Sequence, residues 1–154
     1  ESAIVDCTRR QPALLRPGQI GRAALEAVLG MPLAAPDAAS PRAPGTLASH
    51  YAPAAPVHLL DAPQLQARLQ ALGRAAEPGR AAPVVGVYSR MFPGPGAGCV
   101  HRAMPADAAA VAHELFAVLR EFDAAGVAAI WVERPPPGPE WDAVRDRLGR
   151  AAAA

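Results

Sequence analysis

The chain has 154 residues and no lysine; all 15 of its Lys-plus-Arg positions are arginine. That absence excludes chemistry needing a shiftable amine: no Schiff base, no lysine general base, no lysine on an ATP phosphate. Aromatics make up only 5% of the chain, and 38 alanines inflate the 51% hydrophobic fraction. The core must rest on scattered Leu, Val and Ile and on close helix packing. Two cysteines, Cys7 and Cys99, are too few for a disulfide framework or a four-ligand zinc site, and they read as a chance pair of buried thiols. No apolar run approaches the roughly 20 residues of a membrane span, so no membrane partner is expected. No signal-peptide pattern opens the chain, and the expected compartment is the cytoplasm. The net charge of +1 supplies no bulk attraction to nucleic acid or anionic lipid.

The apolar pattern divides the chain into three parts. Residues 3–7 and 13–16 are short apolar runs around a Thr-Arg-Arg-Gln-Pro turn and predict two paired strands. Positions Ile20, Ala24, Leu25, Val28 and Leu29 recur at helical spacing, with Gly30 as the stop. Residues 1–30 enter a strand-like run at once, without Met, and read as a remnant of a longer domain. Residues 31–55 are rich in proline and read as an extended spacer rather than an element. From 56 to 150 the order strand, helix, strand, strand, helix, strand, helix predicts a small three-layer α/β domain with a mostly parallel sheet. Its elements are 57–60, 63–72, 84–88, 100–104, a helix capped by Asp107 and running to Gly126, 127–132 and 139–150.

Few residues suggest chemistry on spacing alone. Residues 93–98 are Gly-rich and follow a strand, but two prolines delete donors and a strand, not a helix, comes next, so a plain loop is the simpler reading. Cys99, His101 and His113 match no metal spacing, and no metal site is assigned. Arg120, Glu121 and Asp123 read as a solvated helix face, as do Arg145, Asp146 and Arg147. Two features stand out. Arg16 ends a buried strand before the rigid Pro17-Gly18 turn, and a guanidinium held there suits a phosphate or carboxylate as well as a structural ion pair. His50 and Tyr51 lie in the proline-rich stretch, where core packing does not explain them.

Taken in order, Ser2-Ala3-Ile4-Val5-Asp6, Leu15-Arg16-Pro17-Gly18-Gln19-Ile20, Pro44-Gly45 and His50-Tyr51-Ala52-Pro53 resemble the C-terminal half of a two-domain L-threonylcarbamoyladenylate synthase. Leu115-Phe116, Leu119-Arg120, Phe122-Asp123 and Arg147-Leu148 extend the resemblance toward the C-terminus. Such enzymes join a YrdC-type catalytic domain, a linker and a smaller Rossmann-like domain. The resemblance implies that the parent enzyme, with Mg2+, makes threonylcarbamoyl-AMP from ATP, L-threonine and bicarbonate for tRNA threonylcarbamoyladenosine modification. It implies that Ser2 contacts threonine, that Arg16 contacts ATP, and that Tyr51, with His50 beside it, closes over the nucleotide. Ala3 departs from the family's usual Thr. The family's upstream phosphate ligands lie outside these residues, so no catalytic residue is assigned here and the segment alone is expected to be inactive. Expected partners are the three substrates, tRNA-modification proteins and, through open strand edges, a second copy. A competing reading is a non-catalytic α/β domain that binds a protein or tRNA. An independent dinucleotide binder is disfavoured, because no Gly-x-Gly-x-x-Gly joins a strand to a helix.

Overall fold

In a computed structural model, the described residues are 2–44, 53–74, 84–90 and 98–153. They begin with an antiparallel ribbon of β1 (Ile4–Asp6) and β2 (Ala13–Arg16), followed by α1 (Arg22–Leu29). The α/β unit then runs through β3 (Val57–Leu60), α2 (Ala62–Arg74), β4 (Val85–Ser89), β5 (Cys99–Ala103), α3 (Ala108–Ala124), β6 (Ala129–Glu133) and α4 (Asp142–Ala152). Strands β3, β6, β4 and β5 lie side by side in that order, and all of their pairings are parallel.

Local chemistry sets the helix starts. The Asp107 carboxylate accepts from the Ala110 N–H at 2.8 Å and opens α3. At α2 the Asp61 carboxylate accepts from the Gln64 N–H, and the Gln64 amide oxygen accepts from the Asp61 N–H, a reciprocal cap. The apolar stripe of α3, Val111, Leu115, Val118, Leu119 and Phe122, is buried as the spacing predicts. It packs with α4 against Val57, Tyr88, Ile130 and Val132 on one face of the sheet. Leu65 and Leu69 of α2 cover Leu60, Val85 and Val87 on the other face. Gly86 admits Phe122 to the sheet surface: a Cβ there would meet the Phe122 ring at 2.7 Å. The buried Tyr88 hydroxyl donates to Glu114 at 2.8 Å. Burial, reinforced by that carboxylate, pushes the phenol far above its ordinary range.

The predicted elements stand with small shifts. The strand expected at 84–88 is 85–89, and the helix expected from Pro139 starts as a single 3-10 turn, Pro139–Trp141, before α4. The proline-rich stretch departs further from expectation. Residues 31–44 are extended, yet they dock on the ribbon: Leu14 N donates to Ala34 O at 3.0 Å and Ala34 N to Pro12 O at 2.8 Å. Ala34 thereby forms a parallel bridge with Ala13. Ala13, Leu15 and Ala43 are buried together, with Ile4 and Ala34 against them. Arg9 donates to both oxygens of Asp37, at 2.9 and 2.8 Å. One of the ribbon's two edges, that of β2, is therefore bridged at Ala13 and Leu14 by the chain's own proline-rich stretch.

Candidate functional site

The geometry centres on Arg16. Register along the ribbon pairs Ile4 with Arg16 and Val5 with Leu14, so Leu15 is an extra residue in a β-bulge. A bulge turns the residues beside it, and here it stands next to Arg16. The Arg16 guanidinium uses all three nitrogens. Nε and Nη2 donate to the Ser2 carbonyl at 3.2 and 2.9 Å, Nη2 also to the Ser2 hydroxyl at 3.1 Å, and Nη1 to the Pro44 carbonyl at 2.9 Å. These partners are neutral, and among the described residues Arg16 has no carboxylate partner. The result is a half-buried cation with a fixed plane, its charge available to an anion. Gly18 lets the turn close: a Cβ there would overlap the backbone of Ser2 and Ala3.

Asp6 stiffens the far end of β1. Its Oδ1 accepts from the Thr8 N–H at 3.0 Å and from the Thr8 hydroxyl at 2.7 Å. Its Oδ2 meets only Arg9 Nε, at 3.4 Å. The Thr8 hydrogen bonds hold the Asp6 carboxyl below its ordinary value of 3.8. Arg9 does the same for Asp37.

The structure thus brings together Ser2, Arg16 and Pro44, three members of the ordered motif series. His50 and Tyr51 lie outside the described residues, but the chain on either side of them is anchored. Pro44 is held by Arg16. Beyond them, the Ala54 and Ala55 N–H groups donate to the two carboxylate oxygens of Asp123 at 3.0 and 3.2 Å. Asp123, expected on a solvated helix face, instead anchors the chain ahead of β3. A carboxylate in the last turn of α3 opposes the helix dipole, and the two tertiary N–H contacts offset that cost.

The remaining sequence candidates separate. His113 is exposed on α3, and His101 Nε2 lies 3.2 Å from the Ser89 hydroxyl. The cysteines are not the buried pair expected: Cys7 is exposed and Cys99 half-buried, and what burial Cys99 has pushes its thiol up, away from reactivity. Ser89 is wholly buried at the carboxyl end of β4, beside Glu133, whose carboxylate is bound by the Arg90 backbone N–H at 2.7 Å and by the Arg90 guanidinium at 2.5 Å. Of the Gly-rich loop only Gly98 is described. Among the described residues no three His, Cys, Asp or Glu side chains converge to hold a metal ion, and no helix is long and apolar enough to cross a membrane.

Residues 20–153 match the family described as threonylcarbamoyl-AMP synthase, C-terminal domain. Among curated proteins none matches. Two solved structures of P. abyssi Sua5 are similar over 99% of this chain, each at 26% identity. One is the complex with L-threonine, with a TM-score of 0.75. The other, with a TM-score of 0.74, is a variant in which a histidine and the tyrosine after it are both alanine. The chain spans 45% and 44% of the length of those two chains.

Proposed function

The chain belongs to the threonylcarbamoyl-AMP synthase C-terminal domain family, and from that premise we propose that residues 1–30 are the end of a YrdC-type catalytic domain, 31–55 its linker and 56–150 the C-terminal domain. The complete cytoplasmic enzyme then makes L-threonylcarbamoyladenylate from ATP, L-threonine and bicarbonate, for transfer to tRNA with the help of other tRNA-modification proteins. One observation carries this reading: Arg16 binds both the Ser2 main chain and Pro44, at the start of the linker. A cation fixed at that junction suits the triphosphate, and the Ser2 hydroxyl beside it suits the amino acid. The solved relative's L-threonine complex is consistent with the second assignment.

Tyr51 and His50 are proposed to cover the nucleotide. They form the only His-Tyr step in the sequence, and a His-Tyr pair was replaced in the solved P. abyssi variant. A tyrosine offers a flat face for adenine and a hydroxyl for phosphate, and covering the acyl-adenylate keeps water from it. Magnesium is proposed to arrive with ATP; the described residues offer it no cradle.

In the complete enzyme, Arg16→Ala and Tyr51→Ala are each expected to lower threonylcarbamoyl-AMP formation by about 10-fold or more, roughly 1.4 kcal/mol of barrier. Residues 1–154 alone are expected to give no magnesium-dependent ATP heat in calorimetry. Wild-type turnover in both variants would leave Arg16 as a structural clamp and the domain as a non-catalytic binding module.

A further inference from the structure

We propose that the open edge of β3 is a docking groove for an extended, acidic peptide segment of a partner protein, which adds to the sheet as a further strand. Among the described residues β3 is the last strand on its side of the sheet. Alternation along it is fixed by two hydrogen bonds: Pro56 O and Leu60 O accept from Ile130 N and Arg134 N of the neighbouring strand. The Val57 and Leu59 backbone groups therefore point away from β6, to the outer edge. A groove of about 640 Å3 runs along that edge between α2 and the end of α4. A strand residue in a packed sheet occupies about 160 Å3, from its rise, the strand spacing and the sheet separation. The groove thus has room for roughly four residues, the length of β3.

Its lining carries charge of one sign. His58, Gln64, Arg68 and Arg134 face it, and among the described residues no carboxylate side chain does. Arg68 lies over the Trp131 ring, 5.7 Å from its centre, which fixes the guanidinium on the α2 side. Arg134 reaches across the edge to donate to the Leu59 carbonyl at 3.3 Å. That contact covers an open edge acceptor in the way edge strands are commonly protected, and a competing strand can displace it. Main-chain pairing would supply affinity, and alternate acidic side chains would meet Arg68 and Arg134. Two arginines are too few for a nucleic acid, whose affinity grows with the number of phosphates neutralised. A second copy would set the same arginines against each other.

The test uses residues 1–154 and a fluorescein-labelled peptide of alternating Glu and Val, six residues long, with the Lys/Val peptide and an eight-nucleotide oligouridylate as alternatives. Anisotropy is expected to show binding of the Glu/Val peptide at least 10-fold tighter than of either alternative. The surface variant Arg68→Glu with Arg134→Glu should weaken it 10-fold or more while leaving the circular dichroism spectrum unchanged. Amide exchange at Val57 and Leu59 should slow when the peptide binds. The proposal is overturned by equal binding of the Lys/Val peptide, by tighter binding of the oligonucleotide, by unchanged exchange at both amides, or by sedimentation showing the edge occupied by a second copy.

Discussion

At the scale of single residues, the ribbon depends on side chains that are missing or that serve the backbone. Gly18 is the clearest case, because the atoms a Cβ would overlap are the main chain of Ser2 and Ala3, which cannot rotate away. Gly18→Ala is expected to cost about 3 kcal/mol or more of local stability. The readout is amide exchange at Leu14, whose N–H is bonded to Ala34; exchange as slow as wild type would refute the close approach. Asp6 gives a pH prediction. Its carboxyl is held below 3.8 in the folded chain by Thr8. The charged form is therefore favoured by folding, so its contribution is full above 3.8 and disappears as pH falls through the lowered value. Thr8→Val removes the hydroxyl donor. It should raise the Asp6 titration midpoint in carboxyl NMR, and the stability gap to wild type should be widest near neutrality and narrow on acidification.

At the scale of elements, β3 to α4 were legible because burial imposes a period. Val85 to Tyr88 form a continuous apolar run, and Val111, Leu115, Val118 and Phe122 repeat at helical spacing. Docking of the proline-rich stretch was not legible, because the Arg9–Asp37 ion pair joins residues 28 apart and the other bonds reach main chain: Leu14 to Ala34, Ala34 to Pro12, Arg16 to the carbonyl of Pro44. A carbonyl is offered by every residue type and leaves no mark in a sequence. For the same reason the sequence drew attention to Arg16 without indicating what it would hold. Asp123 joins two elements through such bonds. Removing it forfeits charge-assisted contacts to two N–H groups, about 1.5–3 kcal/mol. It also relieves an unfavourable helix-dipole contact of about 0.3–1 kcal/mol. The first effect wins, so Asp123→Ala is expected to speed amide exchange at Ala54 and Ala55 by about 10-fold, with little change in the melting of the α/β sheet. Unchanged exchange at both sites would remove Asp123 as the anchor.

At the scale of the whole molecule, the strand order β3-β6-β4-β5 makes the last strand a central one. Val57 to Leu60 pair with β6 and not with β4, and β4 in turn has β6 on one side and β5 on the other. A chain cut after Gly126 therefore loses the strand that joins the two halves of the sheet. It is expected to keep helical circular dichroism and to lose cooperative melting; a sharp transition in that truncated chain would contradict the strand order. The same arrangement sets a clock during synthesis on the ribosome. About 70 residues separate the end of β3 from the start of β6, and at roughly 5–20 residues per second β3 waits some 4–14 s for its partner. Through that interval the apolar faces of β3 and β4 have no shared sheet to close on. The nascent chain is then most open to aggregation and to chaperone capture, and that exposure ends only when Ile130 and Val132 arrive between them.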